Sequence, residues 1–446
     1  MPSSANAAGG KKADAIIRHA DLWGTRESKY GWLDSHDLKQ TDWKEVLPTS
    51  PFYLYAPRDN ALDAQYRRFV GVPDLFPVNS VGIVTARDDL TIHWSKEEVW
   101  KTVTLFPRMD EEVARQGYKL GKDARDWKVA LAQKDLLDSG PDRGKIAPIL
   151  YRPFDVRYTY YTGRSRGFIC MPRPEVMRHM LAGENLALIT PKRVEHVGAW
   201  QHAFVSNATS DHVAVSLKTI DYHFPLYLYP TSDRANLFSQ HERAERRPNL
   251  NPKGVAALEQ AYGTQPSPEE IFHYVYAVLY APAYREKYAA FLRMDFPRVP
   301  FTADAKLFRK LATLGEKLVA LHLLKSPDLD PPACRFEGEG DSRVGRDRKT
   351  GLRYDPDLER VYINAAQHFA PVPEAVWTYK IGGYQVCEKW LKDRRERRLE
   401  LDDIRTYCRI VTALGLTIAI QAEIDTLYPD IEKKLWPCPI EIFDDH

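Results

Sequence analysis

Long apolar runs are missing from this 446-residue chain. No stretch of about 18 consecutive apolar residues occurs, and residues 1–12 are small and polar, without the apolar core of a signal peptide. No membrane partner is expected, and the sequence reads as cytoplasmic. Cysteine is scarce: Cys170, Cys334, Cys387, Cys408 and Cys438 are odd in number and never closer than 21 positions. That spacing excludes a disulfide framework and a CxxC zinc site, and leaves small buried hydrophobes as the ordinary role and a reactive thiol as the alternative. Charge of one sign is lacking too. With 63 Lys and Arg against 61 Asp and Glu, the net charge is +2, so any nucleic-acid surface must be local.

Catalytic signatures are equally sparse. The chain has no GxxxxGK[ST] phosphate loop, no HExxH and no GxSxG elbow. Its one GxG, Gly338-Glu339-Gly340, lies in an acidic stretch and not between a strand and a helix. An amino-methyltransferase holds its flipped base with an Asp/Asn/Ser-Pro-Pro-aromatic loop. Here Asp330-Pro331-Pro332-Ala333 lacks the aromatic residue, and Ser50-Pro51-Phe52 lacks one proline. Glu27-Ser28-Lys29, with Asp14 or Asp21 upstream, is the nearest approach to nuclease acids, in residue types common enough to coincide by chance. No complete active site, cofactor site or metal site is legible in this chain.

What is present is ordinary globular material, 44% apolar and 28% charged, enough for a sizeable core and roughly three structural units. We expect an α+β protein. Residues 1–14 form a flexible lead-in, 15–150 a mixed segment, 151–265 a β-rich central domain and 266–446 a helical C-terminal part with a long loop at 328–357. Short β-branched or aromatic runs at 186–190, 203–206, 213–217 and 226–229 predict strands, and the polar segment 232–247 an exposed connection. Ser267-Pro268-Glu269-Glu270 predicts a capped helix start. Leu307, Leu311, Leu314, Leu318 and Leu321 predict a helix with one buried stripe. A helix from Tyr384 should end near Asp393, because continuing it would put Arg394 on the apolar face, and a last helix should begin near Asp402.

The densest stretch chemically is 151–180. It holds Arg152, Arg157, Arg164, Arg166, Arg173 and Arg178 against Asp155 and Glu175, interleaved with Phe154, Tyr158, Tyr160, Tyr161 and Phe168. Guanidinium forks bind guanine edges and phosphates, and aromatic faces stack on bases. A solvated arginine surface over buried tyrosines fits the same composition. A second basic cluster, Lys389, Lys392, Arg394, Arg395, Arg397 and Arg398, reads either as a solvated helix end or as phosphate contact. Lys192, Arg193 and Lys218 follow strand-like runs, where loops leave a sheet.

Several blocks together resemble a known family: the 151–189 stretch, KTIDYHFPLYLYP, NLNPKGV, PSPEEIFHYVYAVLYAPAYREKYAAFLRMDFPRVP, VYINAAQHF and IGGYQVCEKWLKDR. They are similar, in order, to the C-terminal target-recognition (specificity) region of type ISP restriction-modification enzymes and related adenine-specific DNA methyltransferases. The stretches at 16–43 and 84–100 resemble the region that follows the methyltransferase motifs, so 15–150 would be the tail of that region and a spacer. The resemblance implies sequence-specific recognition of double-stranded DNA, with methyltransferase, translocase and nuclease domains supplied in cis or in trans. S-adenosylmethionine would be needed only in the methyltransferase part. Arg152, Arg157, Arg164, Arg166 and Lys192 would read or flank base edges, Tyr158, Tyr161, Arg193 and Lys218 would also belong to the DNA-binding surface, and the 389–398 cluster would hold phosphates. A degenerate autonomous methyltransferase or nuclease, and a protein-interaction scaffold of such a complex, are the alternatives.

Overall fold

The computed structural model describes residues 15–48, 53, 55, 59–195, 198–230, 246–347 and 351–437. The expected lead-in, the Ser50-Pro51-Phe52 motif, most of the 232–247 connection and Cys438 lie outside them. The chain divides into two compact units, Met1–Arg67 and Arg68–His446.

In the first unit, strands Ile17–His19 and Lys44–Val46 pair antiparallel. Helix Arg26–Ser35, which carries Glu27 and Lys29, starts where the Thr25 hydroxyl accepts the Ser28 amide at 3.2 Å. This helix buries none of its residues, and Trp23, Tyr30, Leu33 and Leu38 are exposed.

The second unit is α+β, as expected. One four-stranded sheet runs in the order Thr209–Ser210, Ile146–Arg152, Asp155–Tyr160 and Ile92–His93. Another runs Ser80–Val81, Asp221–Pro225, Ala187–Pro191 and Phe204–Ser206. The expected boundary at residue 150 falls inside strand Ile146–Arg152, and the one at 265 between helices Pro252–Tyr262 and Pro268–Tyr280. The run at 213–217 is a turn, not a strand. Its Val215 amide donates 2.7 Å to the buried Asp221 carboxylate, a side-chain acceptor that takes the place of a ladder partner. Nor is 328–357 an uninterrupted loop: Arg335–Glu337 and Arg353–Asp355 are the outer strands of a sheet completed by Arg360–Tyr362 and His368–Ala370.

Helix Pro268–Tyr280 begins with a complete capping box, Ser267 Oγ accepting the Glu270 amide at 3.1 Å and Glu270 Oε2 accepting the Ser267 amide at 2.8 Å. Helix Ala305–His322 buries its leucine stripe. It packs so closely on Pro268–Tyr280 that any Cβ at Gly315 would run into the His273 carbonyl oxygen. Both meet helix Leu401–Lys433 through one buried ring: His322 hydrogen-bonds the Tyr276 hydroxyl at 2.7 Å and the Thr417 hydroxyl at 3.0 Å. Burial drives its pKa down to about 3, so the imidazole stays neutral. Among the described residues Leu401–Lys433 is the one helix long and apolar enough, by length and composition, to cross a membrane. Here Tyr407, Ile410, Val411 and Leu414 place one of its faces in the core beside Trp390, Val361 and Phe369.

Candidate functional site

The hairpin formed by Ile146–Arg152 and Asp155–Tyr160 turns at Pro153 and Phe154, whose φ is +62°. It delivers Asp155 into the interior, where the carboxylate takes Arg157 at 2.8 Å on one oxygen and Arg394 at 2.9 Å on the other. Burial raises the Asp155 carboxyl, and the Arg394 and Arg157 charges outweigh it, holding the group below the usual carboxylate range.

These two arginines come from the two separate basic clusters of the sequence, and Trp94 joins them. Around its indole lie the guanidiniums of Arg157 at 3.7 Å, Arg397 at 4.2 Å and Arg394 at 4.6 Å from the ring centroid. Arg394 also lies 3.4 Å from the centroid of Trp390 and reaches Asp403 at 3.4 Å. Arg397 is half-buried and has no ion-pair partner among the described residues. Burial lowers its pKa below the ordinary guanidinium value, against the opposing pull of Glu98 and Asp403 and with a smaller push from Arg394 and Arg157. Trp94 carries no motif. Its aromatic character in a stretch read only as family-like gave no signal that it would organise three cations.

Three of the expected contact residues face the interior. Arg157 and Arg394 are buried on Asp155. Arg152 is buried as well, paired with Asp211 at 2.6 Å and lying over Tyr151 at 3.8 Å from the ring centroid. A buried charge persists only with such a partner, so each of them braces the framework and presents no free fork to solvent.

The remaining candidates lie nearer the surface. Arg164 pairs with Asp138 at 2.6 Å and Arg166 with Asp126 at 3.4 Å. Their loop is pinned from below by Asp135, which accepts the Thr162 hydroxyl at 2.9 Å and the Phe168 amide at 2.8 Å. Half-buried Tyr161 donates to the Pro172 carbonyl at 3.1 Å, and half-buried Tyr158 receives Lys96 over its ring at 5.7 Å. Lys192 stands 4.0 Å from Asp295; Arg193 and Lys218 are exposed. Lys389 pairs with Asp393 at 2.5 Å and Lys392 with Glu388 at 2.8 Å, the i,i+4 pairs of an ordinary helix face.

Arg395 and Arg398 are exposed, and the structure adds two neighbours the sequence reading missed. Arg343 bridges to Arg398 through the backbone and donates 2.6 Å to the Glu396 carbonyl, while Arg346 lies 3.7 Å from the Glu396 carboxylate. Exposed Arg343 and Arg346 thus stand on one segment beside exposed Arg395 and Arg398 on another, which also carries half-buried Arg397, and this arginine rim includes Asp341, 3.6 Å from Arg343, and Glu396 as acidic neighbours.

A second buried constellation sits below Arg152. Asp211 holds both Arg152 and His212, the latter at 2.8 Å, whereas fully buried Asp221 faces no cation within ion-pair distance among the described residues. Burial, with help from the Asp211 charge, pushes the Asp221 carboxyl up to about 8. No group of three or more His, Cys, Asp or Glu able to hold a metal occurs among the described residues.

Known proteins place this architecture. The chain is similar to the solved DrdV–DNA complex with a TM-score of 0.69 and 22% identity, over 92% of this chain and 43% of that one. It is similar to a nuclease-deletion mutant of the Type ISP restriction-modification enzyme LlaGI in complex with a DNA substrate mimic, with a TM-score of 0.64 and 19% identity, over 93% of this chain and 33% of that one. The ATP-dependent Type ISP restriction-modification enzyme LlaBIII bound to DNA gives a TM-score of 0.62 and 17% identity, over 86% and 25%. The chain thus spans less than half the length of each, and at these identities the likeness is one of fold. No curated protein matches it in sequence. Residues 74–420, within the second compact unit, match the Type ISP C-terminal specificity domain, and the chain belongs to that family.

Proposed function

We propose that this chain recognises a specific sequence in double-stranded DNA as the specificity part of an adenine-N6 restriction-modification enzyme, acting in the cytoplasm. One observation carries the reading: an exposed rim of Arg343, Arg346, Arg395 and Arg398 beside Arg397, which is braced on Trp94. Exposed guanidiniums suit phosphates, and they set register on a duplex without reading sequence. Arg397 already has its side chain ordered against an indole, so little further conformational freedom is lost when it meets a base edge or a phosphate. Arg164, Arg166 and Lys192 are each able to exchange a weak surface contact for a phosphate or a base, and Arg193 and Lys218 are exposed to the same partner. Family membership and the DNA bound in the similar structures support the same reading.

The methyl transfer itself belongs to a methyltransferase part in cis or in trans, which would bind S-adenosylmethionine and extrude the adenine. Translocase and nuclease parts would complete the enzyme. The test is an anisotropy titration of the chain with random duplexes and with a selected site, at two salt concentrations. Salt-sensitive affinity with a preferred sequence is expected. Absence of salt-sensitive binding, alone and with the methyltransferase part added, rejects the reading; cross-links confined to protein would favour a scaffold instead.

A further inference from the structure

Away from the arginine rim, the second unit holds a cavity of about 500 Å³, within the usual size range of small-molecule sites. Trp200, Gln201, Arg285, Arg293, Tyr379 and Gln421 contribute to its lining. Three side-chain nitrogens on these lining residues are sealed from solvent and have no acceptor among the described residues. Arg285, only 7% exposed, gives its Nε to the Leu279 carbonyl at 2.5 Å, while its Nη2 is buried without a partner. Arg293 donates to the Gly198 carbonyl, and its buried Nε is unpartnered. Trp200 is 1% exposed, and its indole Nε1 is likewise unpartnered.

Neither arginine has a carboxylate within ion-pair distance among the described residues, in contrast to Arg152, Arg157 and Arg394. Elsewhere in this unit, then, buried guanidiniums are neutralised by aspartates; buried Arg285 and half-buried Arg293 are not. Two guanidiniums that lack a carboxylate partner and line one cavity favour an acceptor-rich anion there. Two arginines against Glu286 leave the lining net positive.

The rest of the wall is aromatic and held rigid. The Tyr379 hydroxyl hydrogen-bonds Gln421 Oε1 at 2.8 Å, and Gln421 Nε2 donates to the Tyr280 carbonyl at 2.9 Å. Arginine forks match phosphate oxygens, and half-buried Tyr379 offers an apolar face to a ring. We propose that this cavity binds the phosphate of a mononucleotide-sized ligand, independently of the duplex-binding reading above.

The experiment uses the whole chain and titrates adenosine monophosphate and inorganic phosphate by calorimetry and thermal shift. Saturable binding of adenosine monophosphate is expected, tighter than that of inorganic phosphate. Arg285→Gln should weaken it at least tenfold. Because that change removes a buried group, Ala289→Trp provides a second arm: it fills the cavity, keeps both arginines, and should abolish binding. Displacement by a short duplex would assign the phosphate to a nucleic-acid strand, and no displacement would assign it to a free nucleotide; either result keeps the site. No saturable binding of either probe by the folded wild-type chain, or undiminished binding in a folded variant of either kind, overturns the proposal.

Discussion

Asp155 and Arg394 stand 239 positions apart in the chain and meet at 2.9 Å, both buried. The contact ties the tip of the Ile146–Tyr160 hairpin to the segment leading into the terminal helix, and so fixes where the arginine rim sits on the β framework. Removing one partner strands the other charge in a dry interior. Arg394→Met is therefore expected to destabilise the second unit by about 3–5 kcal/mol, and Asp155→Asn by a similar amount. Arg398→Ala, an exposed change, should fall within about 0.5 kcal/mol of wild type. Chemical denaturation of the three variants checks the order, and equal midpoints would contradict it.

That contact also explains what could and could not be read in advance. The capping box at Ser267 and the leucine stripe of Ala305–His322 depend on residues within one or two turns, and both were legible. The end of helix Val386–Lys392 was placed correctly for an incomplete reason. Arg394 was expected to leave the apolar face for solvent, yet it is buried, because Asp155 supplies a partner that no local pattern reveals. The false strand at 213–217 failed in the same way, its Val215 amide being claimed by a carboxylate six positions on. The family-level reading came through the ordered blocks, while the arginine assignments mixed framework and surface, since composition alone does not tell a paired guanidinium from a free one.

Asp221 makes stability depend on pH in an unusual direction. Its folded pKa lies up at about 8, against about 3.9 for an unfolded aspartate. Below the unfolded value both states hold the proton, and its full contribution to stability is present. As pH rises the unfolded chain loses the proton first, and the contribution is lost progressively until the folded pKa is passed. Asp221→Asn keeps an acceptor for the Val215 amide and removes the titration. Relative to wild type, this variant should gain stability between pH 5 and pH 9, read by urea denaturation. A stability difference that is the same at both pH values would rule the assignment out.

Gly315 is required by helix packing and not by backbone conformation. A methyl group there would press on the His273 carbonyl oxygen of the facing helix, a rigid backbone atom. Gly315→Ala raises intrinsic helix propensity by about 1 kcal/mol, so an isolated helix would be stabilised. In this unit the overpacking should dominate, giving a net loss of about 1–3 kcal/mol and weakening the His322 hydrogen bonds to Tyr276 and Thr417. A thermal melt above that of wild type would mean that the two helices separate more easily than their spacing implies.

Arg397 separates stability from recognition. It lacks an ion-pair partner, so its truncation strands no buried carboxylate, whereas truncating Arg157 or Arg394 strands Asp155. Arg397→Ala should therefore leave the denaturation midpoint nearly unchanged apart from the lost contact with Trp94, worth about 0.5–2 kcal/mol. Its effect on duplex affinity depends on what it touches. A phosphate contact predicts equal weakening on every sequence and a salt slope reduced by about one; a base contact predicts a loss of about 1–3 kcal/mol confined to the preferred site. Arg395→Ala, on the exposed rim, should follow the first pattern. If both variants bind random and selected duplexes as wild type does at low salt, the rim is not where DNA sits, and the exposed loop of Arg164 and Arg166 becomes the place to look next.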